Sequence, residues 1–440
     1  MCPFLWKHLI FLYNVFFYIF SASLCFSPLS QASKRTMSYH HASYSDYDSQ
    51  SRSDDHLQTN LPAVYSQPSL PSLPSLTSNP DHYQEILSTT HHHCLTTLKG
   101  HTSYISSLNL VGKFLYSGSG KEIRLWKGNS LDYEIHHENL SNNVVAVGKG
   151  AVKSLVVLED KLFSAHQDHK IRVWKINNQE SDKQKYTRLA TLPTLGDRAF
   201  NSLLPKNQVQ IRRHKTCTWV HHVDTVSALA LSSDESLLYS VSWDRTIKIW
   251  RTNDFKCLES IANAHDDAIN AVALSNDDSV YTGSADKNIK VWRKSSKESK
   301  HSLVATLEKH NSGINALALS TDGSVLYSGA CDRSIVVWEK DGGGNMVVLG
   351  ALRGHSQSIL CLAVVSDLLF SGSADKTIRI WRGADKSYSC WAVLEGHRGP
   401  VKCLTATIDH CNTTDASYLL YSGSLDCEIR VWQINVPLLQ

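Results

Sequence analysis

Histidine, hydroxyl, aspartate and tryptophan recur in this chain at fixed offsets, and their combined chemistry is the first thing to explain. Trp126, Trp174, Trp250, Trp292, Trp338, Trp381 and Trp432 each close a short apolar run. An aspartate stands six residues before six of them: Asp168, Asp244, Asp286, Asp332, Asp375 and Asp426. Four residues before each aspartate is a hydroxyl: Ser164, Ser240, Thr282, Ser328, Ser371 and Ser422. His101, His222, His265, His310, His355 and His397 each stand four residues before an Ile or Val that opens an alternating stretch. A serine, a histidine and an aspartate could be nucleophile, base and orienting group of a hydrolase. The same groups could equally form a structural relay. An indole N–H only donates, so a buried Trp needs an acceptor; a hydroxyl supplies it and donates onward to an imidazole that an aspartate orients. The full set recurs five times, through Trp250, Trp292, Trp338, Trp381 and Trp432. Catalysis does not need one triad per repeat, so the relay reading prevails. No GxGxxG follows a strand, no phosphate loop or HExxH occurs, and Gly342-Gly-Gly-Asn345 lacks a following Lys-Ser/Thr. The chain is therefore read as no enzyme, without catalytic residues, cofactor or metal. His91-His-His-Cys94 is read as adventitious ligand chemistry at a tail edge.

The elements that must position these groups are strands. Successive tryptophans are 48, 76, 42, 46, 43 and 51 residues apart, near the roughly 40–45 residues of a four-stranded propeller blade. Apolar residues alternate in Val226-Ser-Ala-Leu-Ala-Leu and Ile269-Asn-Ala-Val-Ala-Leu, and Gly, Asp and Ser fill the turns. The expected fold is all-β: a seven-bladed ring. The chain stops soon after Trp432, so the last blade lacks an outer strand, and Cys94-Leu-Thr-Thr-Leu98 is expected to supply it and close the ring. The long second spacing places an insertion at about 176–216, with Thr187-Arg-Leu-Ala-Thr-Leu and Thr216-Cys-Thr-Trp-Val as candidate outer strands. Its basic run Arg212-Arg-His-Lys215 is too short to argue for nucleic acid.

This pattern resembles the WD40 repeat over residues 94–434. The resemblance implies that the relay ties strands together within a blade, and that partner proteins dock on the narrow top face of the ring. It places exposed top-face positions at Tyr104, Lys153, Gln167, Trp243, Asn270, Asn315 and Lys402. Trp243 is the sharpest of these, because its counterparts Ala285, Ala374 and Leu425 are smaller. Two repeats depart from the pattern. The second has Gly148 where His is expected, which predicts an incomplete relay; the first has a turn one residue shorter and no aspartate. Blades 1 and 2 are thus expected to be the least rigid. A finer resemblance is to plant JINGUBANG-type WD40 proteins. It is carried by Cys94-Leu-Thr-Thr-Leu-Lys-Gly-His-Thr-Ser-Tyr-Ile-Ser-Ser-Leu, a Leu-Pro-Ser tail, Leu189-Ala-Thr-Leu-Pro-Thr-Leu and Val220-His-His-Val-Asp-Thr-Val. It implies an intracellular plant regulatory protein and a role as negative regulator of pollen germination.

The rest of the sequence sets bounds. A net charge of +3 over 440 residues, with 19% charged and 42% hydrophobic, demands neither nucleic acid nor a membrane. Eleven cysteines without a CxxC pair read as reduced thiols and favour the cytoplasm or nucleus. Residues 37–93 form a Ser/Pro-rich tail with the run Gln67-Pro-Ser-Leu-Pro-Ser-Leu-Pro-Ser-Leu-Thr, which is expected to be disordered. Within 1–36, Phe4 to Phe26 is strongly apolar. It is either a signal or anchor, which would make the protein membrane-bound or secretory, or a gene-model extension ahead of Met37. The functional expectation is a non-enzymatic scaffold or adaptor, a monomeric propeller working within a complex of proteins. The alternatives are a substrate receptor of a ubiquitin ligase, though 37–93 shows no F-box-like helical segment, and an RNA- or DNA-associated propeller.

Overall fold

A computed structural model describes residues 73–77, 91–127, 143–177, 185–202, 208–212, 215–294, 300–384, 387–409 and 416–436. These form a seven-bladed β-propeller. The chain enters through β1 (His91–Leu98). Blade 1 is β2 (Ile105–Val111), β3 (Phe114–Ser119), β4 (Glu122–Lys127) and β5 (Val144–Val147); blade 2 is β6 (Val152–Leu158), β7 (Lys161–His166), β8 (Ile171–Asn177) and β9 (Lys185–Leu192). An insertion follows, with α1 (Leu195–Ser202), β10 (Gln208–Arg212) and β11 (Lys215–Thr218). Blade 3 is β12 (Val226–Leu231), β13 (Leu237–Ser242), β14 (Ile247–Arg251) and β15 (Cys257–Ile261); blade 4 is β16 (Ile269–Leu274), β17 (Val280–Ser284), β18 (Asn288–Lys294) and β19 (His301–Glu308). Blade 5 is β20 (Ile314–Leu319), β21 (Val325–Ala330), β22 (Ser334–Lys340) and β23 (Met346–Arg353); blade 6 is β24 (Ile359–Val365), β25 (Leu368–Ser373), β26 (Ile378–Ala384) and β27 (Ser387–Leu394). Blade 7 has three strands of its own, β28 (Val401–Asp409), β29 (Ala416–Ser424) and β30 (Ile429–Val436).

Its fourth strand is β1, antiparallel to β30 from His91 opposite Asn435 to Leu98 opposite Ile429. The closing strand thus starts three residues before Cys94 and includes His91, His92 and His93. Each innermost strand touches the next around the ring, and β28 returns to β2.

The apolar core lies in the seams between blades. One cluster joins Ile105 and Leu108 of blade 1 to Cys403, Tyr421 and Val431 of blade 7. The leading Ile or Val of each inner strand is fully buried there: Ile105, Val152, Val226, Ile269, Ile314, Ile359 and Val401. Two glycines show how close the sheets come. A Cβ on Gly423 would lie 2.6 Å from Ile105 Cγ2, and one on Gly329 would lie 2.4 Å from Ile359 Cγ2, so any larger residue would force the sheets apart.

The insertion differs from expectation in one strand. Thr187 to Leu192 lies in β9, the outer strand of blade 2. Thr216 to Thr218 instead belongs to β11, which pairs with β10 in a separate hairpin. Local chemistry anchors the excursion. The Thr194 hydroxyl accepts from the Asp197 N–H at 3.1 Å and caps α1. Trp219 Nε1 donates to Asn201 Oδ1 at 2.9 Å, and the Asp197 carboxylate accepts from the Cys257 N–H of β15. The buried Lys248 ammonium donates to the Trp219 carbonyl and, at 2.7 Å, to Ser260. Of the basic run at 212–215, residues 213 and 214 lie outside the described residues. So does the apolar segment 4–26, with the rest of 1–72.

Removing residues 1–98 should leave β30 with an open edge. That chain is expected to aggregate or lose its cooperative thermal transition, whereas removal of 1–68 should preserve it, both read by size-exclusion chromatography and calorimetry.

Candidate docking face and the relays beneath it

In blades 3 to 7 each Trp indole donates to the buried hydroxyl at 2.8–2.9 Å: Trp250 to Ser240, Trp292 to Thr282, Trp338 to Ser328, Trp381 to Ser371 and Trp432 to Ser422. The same oxygen meets the Nε2 of His222, His265, His310, His355 or His397 at 2.8 Å. Nδ1 of each imidazole faces the Oδ2 of Asp244, Asp286, Asp332, Asp375 or Asp426 at 2.8–3.1 Å. A carboxylate only accepts, so Nδ1 carries the proton, Nε2 accepts from the hydroxyl, and the hydroxyl accepts from the indole. The aspartate also holds the turn. Asp332 Oδ2 accepts from the Asn311 N–H and Oδ1 from the Ser334 N–H, while the intervening Arg333 has φ 68°. Burial alone would raise the Asp332 pKa, but these bonds, led by the one from His310, hold it down at about 2.

Blade 2 corrects the expectation of an incomplete relay. The imidazole comes from His166, two residues after Ser164 on the same strand. Its Nε2 meets Ser164 at 2.9 Å, its Nδ1 donates to the Gly150 carbonyl at 2.9 Å, and Trp174 donates to Ser164 at 2.9 Å. Gly148 makes the room, since a Cβ there would lie 2.6 Å from His166 Cε1. Asp168, released from the imidazole, forms a bidentate pair with Arg172. In blade 1, His101 and Trp126 both meet Ser117 at 2.7 Å. With no aspartate in the shortened turn, His101 Nδ1 is buried without a hydrogen-bond partner among the described residues. Burial, aided by the Arg124 charge, holds His101 down at about 3. Burial likewise holds His166 at about 4, against the opposing bond to Gly150.

The residues expected on the top face divide into two groups. Tyr104, Lys153 and Trp243 converge. Lys153 Nζ lies 5.7 Å from both ring centroids and donates to the Tyr104 hydroxyl at 3.2 Å. Trp243 is 36% exposed, so its indole presents open surface beside the Lys153 ammonium. Gln167 is exposed and Lys402 half-buried. Asn270 and Asn315, by contrast, bond to the neighbouring blade. Their amides donate at 2.8 Å to the carbonyls of Ile314 and Ile359, the leading residues of the next blades. Ser106 does the same to Val152 at 2.7 Å, and Ser227 to Ile269. These inter-blade staples went unread in the sequence, although the signal was available: a short polar residue directly after the leading Ile or Val.

Among the described residues no cluster of three or more His, Cys, Asp or Glu could hold a metal, and no helix is long and apolar enough to cross a membrane. His91 and His93 fall on one face of β1 and His92 on the other, so the triplet does not converge. Burial pushes the thiols of Cys257 and Cys361 up to about 12, which leaves them inert hydrophobes.

The geometry is that of a WD-type propeller, and sequence comparison agrees. The model of the "WD domain, G-beta repeat" family matches residues 92–127, 214–251, 255–293, 301–339, 346–382 and 388–433, together more than half of the chain. The chain belongs to the WD40 family. Blade 2, with its displaced histidine, lies outside the matched segments. An uncharacterised WD repeat-containing protein of Schizosaccharomyces pombe is 30% identical over 180 residues, 38% of this chain and 48% of that protein. Zinc finger CCCH domain-containing protein 62 of Arabidopsis thaliana is 30% identical over 163 residues, 36% of this chain and 37% of its own length. The human kinesin-like protein KIF21A is 25% identical over 333 residues, 66% of this chain and 19% of its own. The chain spans less than half the length of each of these relatives.

Two outcomes follow from the relays. Ser371→Ala orphans the Trp381 N–H and His355 Nε2 together and should destabilise the ring by roughly 2–4 kcal/mol in denaturant titration. His166 binds its proton less readily when folded than at the ordinary value near 6.5. Its stabilising share is therefore complete above about pH 6.5 and lost as pH falls toward 4. It should amount to about 2 kcal/mol between pH 7 and 5, and His166→Gln should flatten the stability–pH slope in that window.

Proposed function

We propose that this chain is a non-enzymatic scaffold that docks partner proteins on the top face over blades 1 to 3, with Trp243 as the anchor. The observation that carries the reading is the convergence of Tyr104, Lys153 and Trp243 around one ammonium. Two aromatic rings held by a shared cation are already ordered before a partner arrives. They bring large contact area with little side-chain entropy left to lose. Gln167 and Lys402 add polar groups on the same face. The chain works in this reading as a monomeric propeller inside a larger complex, in the cytoplasm or nucleus. The resemblance to plant JINGUBANG-type proteins supports a finer assignment, a plant regulatory protein that restrains pollen germination.

The test is affinity capture with wild type, Trp243→Ala and a Trp243→Ala/Lys402→Ala double variant. Partner recovery should fall at least tenfold while stability changes by less than about 1 kcal/mol, because the indole is not in the core. Recovery unchanged in both variants would overturn the proposal. Recovery of RNA or DNA with a steep salt dependence would replace it with a nucleic-acid function.

A further inference from the structure

Five residues of the Leu-Pro-Ser tail, Leu73-Pro-Ser-Leu-Thr77, lie against the outer rim of the ring. They form parallel bridges to the outer strands of two blades, Ser75 to Ala351 of β23 and Thr77 to Tyr388 of β27. The Leu76 N–H donates to the Ala351 carbonyl, the Ala351 N–H to the Pro74 carbonyl and the Tyr388 N–H to the Leu76 carbonyl, each at 3.0 Å. Both terminal nitrogens of Arg353 donate to the Leu73 carbonyl at 3.2 Å. The segment thus bridges the outer strands of blades 5 and 6.

Side chains add selectivity to this backbone pairing. Leu73 packs on the apolar cluster shared by blades 4 and 5, beside Met346 and Ala351. Leu76 packs on the cluster of blades 5 and 6, beside Tyr388 and Leu352. Leucines three apart point to opposite sides of an extended chain, which lets one segment fill the seams on both sides of blade 5. Gly350 shapes the floor. A Cβ there would lie 2.6 and 2.8 Å from Leu76 side-chain atoms and 2.9 Å from the Pro74 carbonyl oxygen. All three nearest atoms belong to the tail, so the missing side chain serves the tail's seat and not the ring.

We propose that the seam between the outer strands of blades 5 and 6 is a docking groove for an extended Leu-Pro-Ser-Leu peptide, held in cis by residues 73–77. Four features define it: an unpaired strand edge, a guanidinium clamp on a carbonyl, two leucine seats and a glycine floor. Occupancy in cis is exchangeable. Only two half-buried leucines and a few backbone bonds oppose the entropy of ordering the segment. The preceding Leu70-Pro-Ser repeats the same motif one step upstream. This surface is separate from the Trp243 face, and the proposal stands whether or not that face binds a partner.

The probe is a fluorescently labelled peptide with the sequence of residues 69–80, titrated by polarisation against the full chain. In wild type the tethered segment competes at millimolar effective concentration. Leu73→Ser/Leu76→Ser removes that competitor and should tighten peptide binding at least tenfold. Adding Gly350→Val to this variant should weaken it at least tenfold again, with the thermal transition retained. In the otherwise wild-type chain, Gly350→Val should speed amide exchange at Ala351 and Tyr388 severalfold. No saturable binding to the Leu73→Ser/Leu76→Ser chain, binding indifferent to Gly350→Val, or unchanged exchange at both amides would each overturn the proposal.

Discussion

One buried oxygen in each blade carries the strongest constraint on this fold. An indole N–H sealed in a dry sheet seam must find an acceptor, and leaving it unmet costs about 1–3 kcal/mol. The Ser or Thr hydroxyl on the second strand meets it and passes the demand to an imidazole. A single atom thereby locks the third strand through Trp, its own second strand, and whichever segment brings the histidine. In blades 3 to 7 that segment is the loop before the inner strand, so the relay also sets where the blade begins. Blade 2 shows what is required and what is free to vary. The hydroxyl and the Trp keep their places, whereas the imidazole arrives from the same strand at His166 and a backbone carbonyl replaces the aspartate. The acceptor chemistry is fixed; the route by which the chain supplies it is not.

Relays hold a blade together but do not join it to the next. In four blades the residue after the leading Ile or Val bonds to the next blade, and that position decides between cohesion and presentation. Ser106, Ser227, Asn270 and Asn315 use it to bond to the next blade. Lys153, Leu360 and Lys402 occupy the same position in blades 2, 6 and 7. There the joining bonds come from neighbouring residues. Ser154 accepts from the Leu229 N–H at 3.2 Å, and the thiols of Cys361 and Cys403 approach the carbonyls of Val401 and Ile105. Relieved of stapling, Lys153 can lift to Tyr104 and Trp243.

This division explains what the sequence made legible. Blade number, strand register and ring closure are written in repeated offsets, because every blade must solve the same burial problem. The convergence of Tyr104, Lys153 and Trp243 follows from the same repeated offsets. For Asn270 and Asn315, position alone does not reveal that the amide bonds to the next blade. Gly148 read as a loss because a missing histidine is visible at its expected offset, while its substitute is visible only once the space left by the glycine is seen. A His two residues after the relay serine, paired with a glycine at the vacated site, is the signature that offset matching overlooks. The insertion defied reading for a different cause: residues 195–213 answer to no repeat, and the short strand β11 pairs with the insertion's own β10.

Closing the ring removes the edges at its ends, but each blade still ends in an outer strand with one unpaired side. A tail too apolar-poor to fold alone can become ordered by borrowing such an edge, and residues 73–77 do so on blade 5. The two proposed surfaces of this propeller therefore recognise by different physics. The Trp243 face offers rigid side chains, so its selectivity rests on shape and on a few atoms that one substitution can abolish. The rim offers backbone, which bonds to any extended chain, and selects only through two leucine seats and the space above Gly350. A backbone edge of that kind is promiscuous when open. Covering it with a tethered segment of matching sequence keeps it from pairing indiscriminately while leaving it accessible to a competitor that brings the same leucines.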